Sequence, residues 1–295
     1  MRSGSIYRGG SPYNGKNSPG LVSDDGMAWT GGIMLRVRPD GTGLQVIADN
    51  FRNQYEIARD SYGNLFTEDN DDDGYVSLIN PDGSVHTPKW IGATRDGLEL
   101  HDPLGSAISN GVLYTVDSGY VRLFDLATGR PERSIPVPGS TLLNGIAVAD
   151  DGTIYASNTR PTGQLWKVTA GGEVSLFAEG APLEAPNGVA IDQDGNIVVV
   201  NVGDNAVLTY DPAGSVIRTE RSVEGGNDGV VVTADGTKYV SSVRHGSVSR
   251  IRPGQEAEII ASGIPSAASM CYDSIQHQLV IPLNPNYALA FVRLD

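Results

Sequence analysis

Four residues with oxygen donors stand out by place as well as by type. Glu56, Asn144, Asn187 and Asp228 each lie where a β-rich run begins, in the segments YEIA, NGIAV, NGVAI and DGVVV. Carboxylate and amide oxygens are hard ligands. Four of them converging on one axis suit a single divalent metal, Ca²⁺ first, with Zn²⁺, Mg²⁺ or Mn²⁺ as alternatives. The competing reading of Asn-Gly and Asp-Gly is that they form turns ahead of a strand. Of the four histidines, His245 lies beside Arg244 in a loop and His101 just before a β-rich run. Either is placed to serve as an acid or base, whereas His86 falls in an outer strand and His277 in a turn. Neither a G-x-S-x-G elbow nor a Gly-rich phosphate loop opening a helix is found.

Residues this far apart meet only if the chain returns repeatedly to one place, and the sequence does repeat. An apolar run, an Asp/Gly turn and a second β-rich run begin at Tyr55, Asp102, Asn144, Asn187, Asp228 and Ser266, at steps of 47, 42, 43, 41 and 38 residues. A period near 40 with turn glycines between short strands is the mark of a β-propeller. A more polar hairpin follows each unit, as in QLWKVTAGGEVSLFAE and AVLTYDPAGSVIRTE. This predicts an all-β fold, a six-bladed β-propeller of four-stranded antiparallel blades, with Val, Ile and Ala on the inner strands. The sixth unit ends early, in YALAFVRLD, and the run from Ile33 to Asp49 is available as its fourth strand. The ring is therefore expected to close by pairing of N- and C-terminal strands, over one domain at 31–295 with an extension at 1–30. In such a blade the loop between second and third strands lies beside the start of the innermost strand. Glu56, Asn144, Asn187 and Asp228 then ring one mouth of the central channel. Loops on the same face include EDNDDDG at Glu68–Gly74, which lacks the distal Glu of an EF-hand and reads as a solvated rim.

Composition narrows the partners. The net charge of −14 argues against nucleic acid and against an anionic membrane surface, and favours a cation. The single cysteine, Cys271, leaves no internal disulfide or Cys-based zinc cluster and reads as a core thiol. The chain reads as soluble, cytoplasmic as written, or periplasmic or secreted if a leader precedes it. A small-molecule substrate and a monomer or weak homodimer are expected.

From Tyr55 onward the chain resembles the senescence marker protein/gluconolactonase family of six-bladed propellers, which includes regucalcin-like lactonases. The likeness rests on YEIARD, LLNGIAVADDGTIYASN, APNGVAIDQDGNIVVVN and GGNDGVVVTADGT. It implies Glu56, Asn187 and Asp228 as metal ligands, Asn144 as a further Asn beside metal and substrate, and Asp228 as general base. The Glu is followed by Ile57 and Ala58 rather than a small pair, and the family's sugar-binding Arg has no counterpart. The segment from Gly31 to Gly74 also resembles glucose/sorbosone dehydrogenase-like propellers, although no C-x-x-C-H haem site accompanies it. The expected function is metal-dependent hydrolysis of a small lactone or ester, with Asp228, Asn144 and His245 as catalytic residues. The alternatives are a ligand- or protein-binding propeller with a structural metal, and a quinone-linked sugar dehydrogenase.

Overall fold

Turn chemistry sets the strand pattern. Ser109 pairs with Val112, so Asn110 and Gly111 alone reverse the chain, both with positive φ (50° and 77°). A tight hairpin with right-handed twist needs that pair of conformations. The turn at Asp192 is one residue longer. Gly195 N donates to Asp192 O (3.0 Å), and Asp192 Oδ1 accepts from the amides of Asp194 and Asn196, each at 2.9 Å.

The computed structural model describes residues 32–36, 45–51, 54–61, 63–69, 74–79, 85–92, 100–283 and 288–294, and among these every regular element is a strand. An N-terminal hairpin, β1 (Gly32–Arg36) and β2 (Gln45–Phe51), precedes the blades. Blade one is β3 (Gln54–Arg59), β4 (Leu65–Asp69), β5 (Tyr75–Ile79) and β6 (Val85–Gly92). Blade two is β7 (Pro103–Ser109), β8 (Val112–Asp117), β9 (Tyr120–Asp125) and β10 (Pro131–Pro136). Blade three is β11 (Leu143–Val148), β12 (Ile154–Asn158), β13 (Gln164–Val168) and β14 (Val174–Glu179). Blade four is β15 (Pro186–Ile191), β16 (Ile197–Asn201), β17 (Ala206–Tyr210) and β18 (Val216–Arg221). Blade five is β19 (Asn227–Val232), β20 (Lys238–Ser242), β21 (Ser247–Ile251) and β22 (Glu258–Ala261). Blade six is β23 (Cys271–Asp273), β24 (Gln278–Leu283) and β25 (Ala288–Arg293). Each sheet is antiparallel and in chain order, and the blades form the six-bladed propeller that the repeat predicts.

The core lies between blades. Six apolar clusters fill the six interfaces, among them Leu104, Val116 and Ile135 of blade two against Leu143, Ile146 and Val168 of blade three. Val198, Val200 and Val207 of blade four likewise meet Val230, Val240 and Ile251 of blade five. Fully burying a side chain of this kind contributes about 1.5–3 kcal/mol, so the interfaces hold the ring together. Small residues keep the inner strands close, with Ala58, Ala107 and Ala147 at matching register.

Closure follows the expected plan. Blade six has three strands of its own, and β1 lies alongside β25, where a fourth strand belongs. At the seam, Arg59 of blade one meets Asp273 of blade six at 3.1 Å, both largely buried. Asp273 also accepts from the amides of Ile275 and Gln276 and from Gln278 Nε2. The expected extension at 1–30 lies outside the described residues, as do Asn70 to Asp73 of the acidic loop.

Candidate functional site

The inner strands share one irregularity near their start. Register skips two residues between Gln54 and Ile57, Pro103 and Ser106, Leu143 and Ile146, Pro186 and Val189, and Asn227 and Val230. In blade six Ala267 bridges Leu283 while Cys271 pairs with Val280, so the same break falls at residues 268–270. A bulge bends a strand and re-aims its side chains, often beside active sites. The first bulged residue is Leu104 in blade two, Asn144 in three, Asn187 in four, Asp228 in five and Ala268 in six.

The second bulged residue is Gly105, Gly145, Gly188 or Gly229 in blades two to five. A Cβ at Gly145 would overlap the carbonyl oxygen of Asn187, and one at Gly188 that of Asp228. These glycines lie within strands and outside the left-handed region. They are there because the next blade's backbone passes too close for any side chain, not because they form turns. Each polar residue is thereby set against its neighbour.

Three of the four sequence candidates share this register, and Asn187 Nδ2 donates to Asp228 Oδ2 at 3.2 Å. Asn144 Nδ2 reaches Thr159 Oγ1 at 3.3 Å, and that hydroxyl donates to Pro186 O at 2.8 Å, tying blade three to the residue before Asn187. Glu56 differs from the expectation: it stands one step further along its strand, at the register of the glycines, and Tyr55 matches Asn144. The side chains of Tyr55 and Glu56 lie outside the described residues.

Asp228 carries the electrostatics. Burial pushes its carboxyl up to about 7, against the smaller downward effect of the Asn187 hydrogen bond. Among the described residues no Lys, Arg or His pairs with it. A half-buried carboxylate without a counter-charge is costly in its ionised form, and a bound cation would remove that cost. Its backbone is well held, since the preceding Asn227 accepts from Ser222 Oγ (2.8 Å) and donates to Ala206 O (3.3 Å).

Serine hydroxyls stitch the bulges together, a feature that motif reading passed over. Ser157 Oγ accepts from Gly145 N (2.8 Å) and donates to Asn187 O (2.5 Å). Ser241 Oγ does the same between Gly229 N (2.8 Å) and Ala268 O (2.5 Å). Blade four has Val200 at this register. Asp117 Oδ1 and Asn158 Oδ1 hold the entering chain, accepting from the amides of His101 and Asp102 and of Thr141 and Leu142 respectively. The clue in sequence was only a polar residue closing the second strand of blades one to five.

The structure does not bring the histidines into this group. His245 is half exposed on the loop between β20 and β21, with Nδ1 3.8 Å from Glu224 Oε1. The other Glu224 oxygen accepts from Ser247 Oγ. His101 is exposed, and His277 Nδ1 contacts Tyr272 Oη at 3.0 Å on the outside. Among the described residues no three His, Cys, Asp or Glu side chains form a metal cluster. No described helix is long and apolar enough to cross a membrane.

A central cavity of about 170 Å³ lies under the bulged ring, lined in part by Gly145 and Gly188. Comparison with known proteins agrees with this architecture. A gluconolactonase of Xanthomonas campestris is 19% identical, with 80% of this chain and 84% of that one covered at a TM-score of 0.64. Virginiamycin B lyase of Staphylococcus aureus is 13% identical, covering 83% and 85% at 0.58. At these identities the likeness is one of fold. No curated protein sequence matches the chain. The SMP-30/Gluconolactonase/LRE-like region matches residues 82–281, more than half of the sequence and blades two to five in full, and the chain belongs to that family.

Proposed function

We propose that the protein hydrolyses a small lactone or ester at the bulged ring, with one divalent cation as cofactor. The observation that carries this reading is the placement of Asn144, Asn187 and Asp228 at one register on three successive blades. Membership of a family that includes gluconolactonases supports it.

The donor set suits a hard cation. One half-buried carboxylate and two amide oxygens are oxygen ligands, and Asp228 lacks a counter-charge. Asp228, Asn187 and Asn144 would hold the ion, with Glu56 the expected fourth donor and Ca²⁺ the first choice. When bound, the cation would polarise the ester carbonyl and stabilise the oxyanion that develops on it. Asn187 orients Asp228 through its hydrogen bond to Oδ2, which leaves Oδ1 to take a proton from water. The water oxygen adds to the carbonyl carbon and the ring C–O bond breaks. The proton held on Asp228 passes to the leaving alkoxide, so lactone and water give a hydroxy acid. Asn144, fixed by Thr159, positions the substrate beside this pair. His245, beside Glu224 on the loop between β20 and β21, would meet the substrate's outer part.

Hydrolysis of a lactone panel by pH-stat, on chelated protein with divalent ions restored singly, tests the proposal. Activity should vanish on chelation and return with one ion. Turnover indifferent to chelator, or none with any ion, rules the reading out.

A further inference from the structure

Thr159 is the first loop residue after β12, and its backbone amide donates to Leu142 O at 3.0 Å. Val202 and Val243 hold the same place after β16 and β20, with their amides on Ala185 O (2.9 Å) and Gly226 O (3.0 Å). One backbone arrangement thus carries valine in blades four and five and threonine in blade three. Both side chains are β-branched and alike in size, so the loop itself does not call for a hydroxyl. In blade three that hydroxyl is buried and fully used. Thr159 Oγ1 donates to Pro186 O at 2.8 Å and faces Asn144 Nδ2 at 3.3 Å. A hydroxyl has one proton to give. With that proton on Pro186 O, Oγ1 can only accept from Asn144, and the amide must turn its nitrogen towards Thr159. A flipped amide would set Asn144 Oδ1 against an oxygen with no proton to share. Asn187 shows the same polarity, giving Nδ2 to Asp228 Oδ2 at 3.2 Å. Among the described residues no donor reaches Oδ1 of either asparagine.

From this arrangement we infer that Thr159 is a positioning residue: its hydroxyl fixes the Asn144 amide so that the oxygen is the free end, which makes Asn144 an oxygen donor to the cation and not an N–H donor to the substrate oxyanion. The inference rests on the cation-dependent reading above and says what sets one of its donors. The hold on Thr159 is firm. β-Branching restricts its χ1, and Leu142, which accepts its amide, is itself held by Asn158 Oδ1 at 2.9 Å.

Ion binding and turnover are read separately. Chelated protein is titrated by calorimetry with the ion that restores turnover, or with Ca²⁺ if none does. Thr159→Val should bind about three- to tenfold more weakly than the unmodified protein, the worth of one hydrogen bond. Thr159→Ser, which keeps the hydroxyl, should bind close to the unmodified protein. In an Asn144→Ala background, Thr159→Val should change affinity by less than about twofold, because its effect passes through that amide. Turnover that Thr159→Val loses at limiting ion should return at saturating ion. Thr159→Ala removes the same hydroxyl and replaces the valine variant if that one does not fold. Equal affinity of Thr159→Val and the unmodified protein, or an equal loss with and without the Asn144 amide, overturns the inference. So does a fall in kcat that saturating ion leaves in place, since Asn144 would then act through its nitrogen. Weakened binding with no lactone turned over keeps the inference and removes the hydrolase reading. Unchanged binding with turnover intact does the reverse, and an unmodified protein that binds no ion removes both.

Discussion

The ring of bulges has two unlike halves. On blades three, four and five the first bulged residue is Asn144, Asn187 or Asp228. On blades six and two it is Ala268 or Leu104, both buried, Leu104 within an interface cluster. Backbone and register are the same on both sides, so the repeat supplies equivalent positions and the side chain alone decides which carry polar groups. The polar half gains its strength by contiguity: Asn187 reaches Asp228 because the intervening glycines let neighbouring bulges touch.

The largest expected effect separates the halves directly. Asp228→Ala should lower kcat/KM by a thousandfold or more, because it removes both the charge and the proton acceptor. Leu104→Ala, the same register in the apolar half, should cost about 2–4 kcal/mol of stability while turnover of the folded fraction persists. Comparable kcat/KM losses in the two variants, measured below their unfolding temperatures, would abolish the distinction. The next effect concerns the seam on the apolar side. Arg59→Ala strands Asp273 in a largely buried site and should destabilise the protein by about 3–5 kcal/mol in urea unfolding. A loss under 1 kcal/mol would mean that the terminal strands, not this pair, carry closure.

Much of this was readable before any coordinates. Six turn-punctuated units gave the blade count, and NG, NG and DG at one phase pointed to Asn144, Asn187 and Asp228. At Glu56 residue type and strand phase part. Aligning YEIA with NGIA on the shared Ile-Ala puts Tyr55, not Glu56, opposite Asn144, but a carboxylate beside the strand start outweighed the phase. Ser157 and Ser241 show in the sequence only as polar residues late in a β-rich run, and their role depends on the next blade's carbonyl, which local sequence does not reveal. Arg59 and Asp273 come from opposite ends of the chain, and only closure of the ring brings them together.

A third effect lies within the polar half and has a pH signature. An aspartate titrates near 3.9 in an unfolded chain, whereas burial raises Asp228 to about 7 in the folded, metal-free protein. The folded state therefore holds that proton more tightly, and stability should fall as pH climbs from about 4 to about 7. Asp228→Asn removes this slope. In chelator at pH 8 the variant should be the more stable protein by about 2–4 kcal/mol, with the difference gone near pH 4. Parallel stability profiles from pH 4 to 8 would contradict a desolvated carboxylate without a counter-charge.

The smallest effect tests the stitch that blade four lacks. Exchanging a buried valine for threonine keeps the volume but adds a hydroxyl, which costs about 1–3 kcal/mol where nothing receives it. Val198 and Val200 are both fully buried in the cluster between blades four and five. They differ in what faces them. Val198 pairs regularly with Ala190, whereas Val200 lies opposite the bulge, at the register where Ser157 and Ser241 find a glycine amide and a carbonyl. At position 200 the corresponding groups are Gly188 N and Asp228 O. Val198→Thr should therefore pay the full desolvation cost, while Val200→Thr recovers about 1 kcal/mol of it through the new hydrogen bonds. Urea unfolding of the two variants side by side decides the matter. If position 200 proves no more tolerant than position 198, the serine bridges are features of their own blades, and the register does not carry a stitch around the ring.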